Sequence, residues 1–309
     1  MTSHIFLSLG MWDDEVKANE TAMEVVNRAR QKAGKPPAMC GHINEWLEYG
    51  YLQQGRVADA RRVLEGCRQA AEKAAAAASD SKSPAHAEMS GMTMTGMTPA
   101  MMALASYAEM RAHFLIDTEL WNDDAVRWIL PAGDYPFAEA PFDYANALAA
   151  IRRGDLPNAR EATSRVESEA QRSVAWMKQQ KMNDSMLSDA ALIYNGELHA
   201  LLTAAEGKTL DAVNELQRIS AKEHAMPLEF GPPNIEKPTD ELLGEMLLHL
   251  NRPSEARDAF QAALARAPGR RLVLEDLART DKEIAAAAAA AAAKEGVKQS
   301  SADSPPHKH

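Results

Sequence analysis

The 309-residue sequence contains no HExxH, GxSxG, CxxC or GxGxxG. The metallopeptidase, serine-hydrolase, dithiol-redox and dinucleotide-binding motifs are therefore missing. No apolar run approaches the ~20 residues that a membrane-spanning helix needs, so no span is expected. Alternating β-branched runs that would read as strands are also lacking. Aromatic residues make up only 6% and cysteines number two. Basic residues are outnumbered, 34 against 44 acidic, which leaves a formal charge of −10. That balance argues against a nucleic-acid duplex or an anionic membrane surface as partner.

What remains is a helical composition: 46% hydrophobic residues, with alanine abundant. The most informative stretch is LLGEMLLHLNRPSEARDAFQAALARAP, residues 242–268. Leu243-Gly244, Leu247, Asn251, Ala256, Phe260, Ala263 and Pro268 stand at the offsets of a tetratricopeptide repeat. Gly244 lacks a Cβ, so a second helix can approach it closely. Asn251 tolerates the left-handed conformation that turns a chain between antiparallel helices. Ala256 is small where the helices cross, Phe260 and Ala263 share a face, and Pro268 stops the second helix.

This unit serves as a ruler: a turn residue, a small residue five places on, and apolar residues nine and twelve places on. It fits Gly55, Ala60, Leu64, Cys67; Gly154, Ala159, Thr163, Val166; and Gly207, Ala212, Leu216, Ile219. A poorer copy starts at Gly10, where Glu15 and Asn19 stand in place of small and apolar residues. The turn residues Gly10, Gly55, Gly154, Gly207 and Asn251 lie 45, 99, 53 and 44 residues apart, against about 34 in the standard repeat. The long gap should hold a degenerate unit, Pro99–Ile116 packed on Trp121–Leu130. The expected fold is all-α, a tetratricopeptide-like α-α superhelix over residues 1–282. Hairpins should turn near residues 10, 55, 119, 154, 207 and 251, with Trp12, Trp46, Leu64, Phe260 and Leu264 buried. A loop insert covers 79–98. An Ala-rich helix and a disordered polar tail cover 283–309, with Ala285–Ala293 the strongest helix former and disorder from Lys294 onward.

Three stretches, SHIFLSLGMWDD at the start, CGHINEWLEYGYLQQGR at 40–56 and FGPPNIEKPTDELLGEMLLHLNRPSEARDAFQAALARAPGR at 230–270, resemble a family of uncharacterised bacterial tetratricopeptide-repeat proteins. The resemblance covers most of residues 3–280 and implies the same helical-repeat fold. It also implies that further N-terminal repeats precede this segment in a longer chain. A physical observation points the same way: Ser3–Leu9 reads as an amphipathic helix with nothing before it to cap a solenoid. Association through that uncapped end is expected. The compartment stays open. The segment MTSHIFLSLGMW carries no signal peptide, which suits the cytoplasm, whereas an upstream signal would send the chain to the periplasm or outside the cell.

The first helices of a tetratricopeptide array line its concave face. The repeat register places His42, Glu45, Tyr49, Tyr144, Arg152, Tyr194, Glu197, Glu245 and His249 there, a set suited to anchoring a protein or peptide partner. It holds no Lys/Asn/Arg cluster for a peptide's C-terminal carboxylate, so a basic or apolar segment is the expected partner. No nucleophile, base and orienter converge in the sequence, so catalysis is not expected. The Glu206-Gly207-Lys208-Thr209 run has Leu202 where a phosphate loop needs glycine, and Gly207 is already a repeat turn. Two alternatives stay open. The first is Cu(I) binding by the soft ligands His86, Met89, Met92, Met94 and Met97. The second is an enzyme on a helical-repeat frame, which would need a deep pocket with convergent titratable groups. Finally, Cys40 precedes the first helix of its hairpin and Cys67 ends the second, which brings them side by side. They form either a disulfide or, reduced, a small buried hydrophobe and a candidate soft-metal ligand.

Overall fold

The computed structural model describes residues 2–80, 98–131, 135–179, 186–228 and 231–302. Twelve α-helices occur among them: α1 (Ser3–Ser8), α2 (Trp12–Lys32), α3 (His42–Gln53), α4 (Val57–Asp80), α5 (Pro99–Thr118), α6 (Pro136–Arg152), α7 (Leu156–Gln179), α8 (Met186–Ala205), α9 (Thr209–Ala225), α10 (Thr239–His249), α11 (Pro253–Arg266) and α12 (Arg271–Ala302). A short 3-10 helix covers Asp124–Arg127, and no strand occurs among the described residues. Neighbouring helices pack on one another along the chain.

Five connections share one backbone solution. Gly10, Gly55, Gly154, Gly207 and Asn251 all adopt positive φ, between 56° and 85°. In each, the following residue's N–H reaches back five positions, as in Arg56 N–H to Tyr51 O at 2.8 Å and Arg252 N–H to Leu247 O at 2.9 Å. This is the Schellman closure, which pairs the last carbonyls of the outgoing helix. The next helix starts two residues after the turn in all five cases, at Trp12, Val57, Leu156, Thr209 and Pro253. The sixth expected turn, near 119, is Glu119 with φ 53°.

Packing follows the same register. Ala60, Ala159, Ala212 and Ala256, five places after the turns, are all fully buried. The poorer first copy obeys it as well: Glu15 occupies the crossing position at 0% exposure, and its partner across the crossing is Gly50. A Cβ at Gly50 would fall on the Glu15 carboxylate, and one at Gly244 would lie 2.5 Å from the Phe260 ring. Trp46, Leu64 and Phe260 are buried, while Trp12 and Leu264 are only partly covered.

Two regions depart from the sequence-based expectation. The degenerate unit keeps its first helix, but residues 121–131 do not form a second one beyond the 3-10 turn. Fully buried Arg111 holds them instead, donating to the carbonyls of Ala125 at 2.8 Å and Val126 at 3.0 Å while stacking on Phe142. α12 continues to Ala302, past Lys294 where disorder was expected to begin. The two ends of the array also meet. Trp12 Nε1 donates to Gly269 O at 2.8 Å, and a Cβ at Gly10 would lie 2.7 Å from Pro268 O. On α1, Leu7 is buried, whereas Ile5 and Leu9 are exposed.

Candidate functional site

The interior of the array is filled by the chain's own segment 231–238, GPPNIEKP, and by Arg270. Ile235, Glu236 and Lys237 are buried, and Tyr194 Oη donates to Asn234 O at 2.9 Å. Lys237 Nζ pairs with Glu241 at 2.6 Å and also with Glu245, which in turn pairs with Arg152. Arg270 pairs with Glu241 at 2.5 Å and with Asp117 at 2.6 Å, and donates to Glu236 O at 3.1 Å. Three cations and three carboxylates thus alternate across the interior. Balanced pairing of this kind offsets the desolvation that buried charges suffer. Burial works against the charge of Glu245, yet Lys237 and Arg152 hold its carboxyl down at about 2.

Two concavities flank this ladder, toward opposite ends of the first helices. The first is a cavity of about 260 Å³ bounded by α3, α5, α6, α8 and the 231–238 segment. Glu45, Glu109, His113, Tyr194, Asn234 and Glu236 supply its polar wall, while Trp46, Phe137 and three prolines supply the apolar one. Burial, reinforced by the Arg270 charge, pushes His113 down to about 3, so its ring is neutral. Burial raises Glu236 to about 7, against the lowering influence of neighbouring Tyr194 and Arg270. Behind the cavity, Glu48 is fully buried and neither carboxyl oxygen has a hydrogen-bond partner. Its carboxyl is pushed well above the usual range by burial and then by the charges of Asp117 and Glu45.

The second concavity is a groove of about 680 Å³ between the C-terminal ends of α6, α8 and α10 and the flank of α12. Leu201, Leu242, Met246, Leu248 and Leu272 floor it. Five carboxylates line it (Glu119, Glu245, Glu275, Asp276 and Glu283) against two guanidiniums, Arg152 and Arg279. Both cations are already paired, Arg152 with Glu245 and Arg279 with Asp276 at 2.9 Å.

The nine residues placed on the concave face by register divide accordingly. Arg152, Glu245 and His249 line the groove, and Glu45 and Tyr194 line the cavity. His42 is exposed beside Trp46, their rings 5.7 Å apart. Tyr49, Tyr144, Tyr194 and Glu197 are buried, which corrects their expected role as open surface. Tyr144 stacks on Tyr194 at 4.6 Å and donates to Glu197 at 2.7 Å, which also accepts from Thr239 Oγ1 at 2.7 Å. Tyr49 lies beside Arg270. Tyr194, Glu197 and Tyr49 thus contact the chain's own Asn234, Thr239 and Arg270.

Sequence reasoning missed His113, Glu236, Lys237 and Arg270. The available signal was the Pro-Pro pair followed by two charges between helices, which marks a short extended stretch but not its burial. Cys40 and Cys67 are joined by a disulfide, their Cα atoms 4.7 Å apart. His86, Met89, Met92, Met94 and Met97 lie outside the described residues. Among the described residues, no three His, Cys, Asp or Glu side chains are grouped to hold a metal ion. No described helix is long and apolar enough to cross a membrane.

Comparison of this chain with protein-family models, with curated proteins and with solved structures finds no match.

Proposed function

We propose that this chain is a non-catalytic interaction scaffold of tetratricopeptide-like architecture that receives a basic, amphipathic partner segment in the groove between α6, α8, α10 and α12. The architecture is supported by the five identical turn closures and the buried alanines at one register. The observation carrying the partner is the groove's composition: an apolar floor under five carboxylates facing two guanidiniums; Glu245, Glu275 and Asp276 are themselves ion-paired, and the lining still carries more carboxylates than cations. Such a surface repels acidic segments, attracts basic ones by complementary potential, and offers apolar anchors for every third or fourth residue of a helix. His249 stands exposed at the mouth.

Fluorescence anisotropy with Lys/Leu amphipathic peptides tests this reading. Binding should weaken as salt rises, and the double charge reversal Glu275→Lys/Glu283→Lys should reduce affinity at least tenfold. Equal affinity for Glu/Leu peptides of the same pattern, or no effect of charge reversal, would defeat it.

One observation favours a second reading, an enzyme on a helical-repeat frame: the cavity gathers His113, Glu45 and Glu236, with Glu236 at about 7. A carboxyl titrating near neutrality suits proton exchange. No Ser, Cys, Thr or Lys lines the cavity among the described residues, so any nucleophile there would be a carboxylate, His113 or Tyr194. Recovery of cavity ligands chemically unchanged after long incubation would support binding alone. The Cu(I) alternative, resting on His86 and the four methionines, is tested by replacing those methionines with leucine and titrating Cu(I) against a competing chelator.

A further inference from the structure

The interior cavity carries an inference separate from the groove, with which it shares no lining residue. Two of its polar groups are buried and incompletely paired. His113, 5% exposed on α5, has no hydrogen-bond partner at Nδ1. Glu236, 2% exposed on the 231–238 segment, has none at Oε2. Both residues line the cavity from different walls. Neither unpaired atom has accessible surface, so an occupant of the cavity meets these side chains through their other atoms. The wall sets the sign of what could fill it. Glu45, Glu109 and Glu236 supply three carboxylates, and no Lys or Arg lines the cavity among the described residues.

An anion is thereby disfavoured, and so is a ligand with acceptors only. A metal ion is disfavoured as well, because no described group of three ligating side chains converges. A protonated amine matches on each count. It brings a positive charge to a carboxylate wall and three N–H donors for oxygens that can only accept. Its alkyl portion meets Trp46 and Phe137, whose ring faces also favour a nearby cation. The volume, about 260 Å³, falls just under the range for drug-sized ligands, which limits the occupant to a small molecule.

We infer that this cavity is a binding site for a small primary ammonium ion, held by the carboxylate wall of Glu45, Glu109 and Glu236 with its alkyl part against Trp46 and Phe137.

Isothermal titration of the full chain with butylammonium, 1,4-diaminobutane, tetramethylammonium, 1-butanol and butyrate tests this directly. The primary amines should bind with sub-millimolar Kd. Tetramethylammonium, which has charge but no N–H, should bind at least tenfold more weakly, and butanol and butyrate should not bind. In Glu236→Gln, checked for a native circular dichroism spectrum, butylammonium affinity should fall at least tenfold. Absence of amine binding at millimolar concentration would overturn the inference, as would equal affinity for butanol, butyrate or tetramethylammonium. Unchanged amine affinity in a folded Glu236→Gln would do the same. The ligand series uses the unaltered chain, so it decides the matter even if the variant fails to fold. Because the groove is elsewhere, peptide binding there stands or falls independently of this result.

Discussion

Glu15 offers the sharpest test of how this interior is built. It sits at the α2–α3 crossing with 0% exposure, accepts a hydrogen bond from Asn19 through one oxygen, and leaves Oε2 unpaired against Gly50. Burial raises its carboxyl from 4.5 to about 8, partly opposed by the Asn19 hydrogen bond. The folded state therefore holds a proton that the unfolded chain releases above pH 4.5. Stability from this group is fully present below that value and is lost as pH rises toward 8. At about 1.4 kcal/mol per pH unit, the loss has a ceiling of roughly 5 kcal/mol across the window. Glu15→Gln keeps the volume and the acceptor for Asn19 but cannot ionise. It also exchanges the acid's unpaired Oε2 for an unpaired and bulkier amide N–H₂ beside Gly50, a pH-independent difference of about 1 kcal/mol. The two stability curves should thus cross: wild type more stable at pH 5, variant more stable at pH 8.5. Urea unfolding followed by tryptophan fluorescence from pH 5 to 8.5 measures both. Other raised acids, Glu236 at about 7 and Glu169 at about 9, contribute to both slopes and cancel in the difference. Parallel curves would refute the claim that Glu15 is a buried neutral acid.

Three further outcomes follow from single contacts. Reducing the Cys40–Cys67 bridge, or replacing both cysteines by serine, should remove roughly 3.5 kcal/mol of stability on the chain-entropy model for a loop of this length, visible as a lower Tm under reductant that the double variant does not show. Gly244→Ala forces a Cβ into the Phe260 ring and should cost about 1–3 kcal/mol, with Gly244→Ala/Phe260→Leu recovering part of it in a double-mutant cycle. Arg111→Met leaves the carbonyls of Ala125 and Val126 without their donor and should cost about 3 kcal/mol or more; Arg111→Lys should not rescue it, since one ammonium cannot reproduce the planar fork, and proteolysis within 121–131 should accelerate in both.

Residues that act through local backbone or nearest-neighbour packing were legible from the sequence. Gly55, Gly154, Gly207 and Asn251 announce turns because few other residues accept positive φ, and an alanine five places on announces a helix crossing because little else fits. Even Glu15, the wrong type for its register, sits where the ruler places it, because backbone geometry fixes the position whichever side chain occupies it. Arg152 and His249 end α6 and α10 and Glu245 stands one turn before the end of α10, so helix ends readable from the turn residues bring all three to the groove. Only the tertiary structure decided what fills the inner face. Arg270 meets Asp117 and Tyr49 from far along the chain, and Lys237 completes the ladder from a segment between helices with no periodicity. The pairing of buried charges depends on which groups share a low-dielectric interior, and sequence spacing carries no record of that. So the burial of Tyr49, Tyr144, Tyr194 and Glu197 among one another, residues 231–239 and Arg270 was decided by tertiary contacts alone.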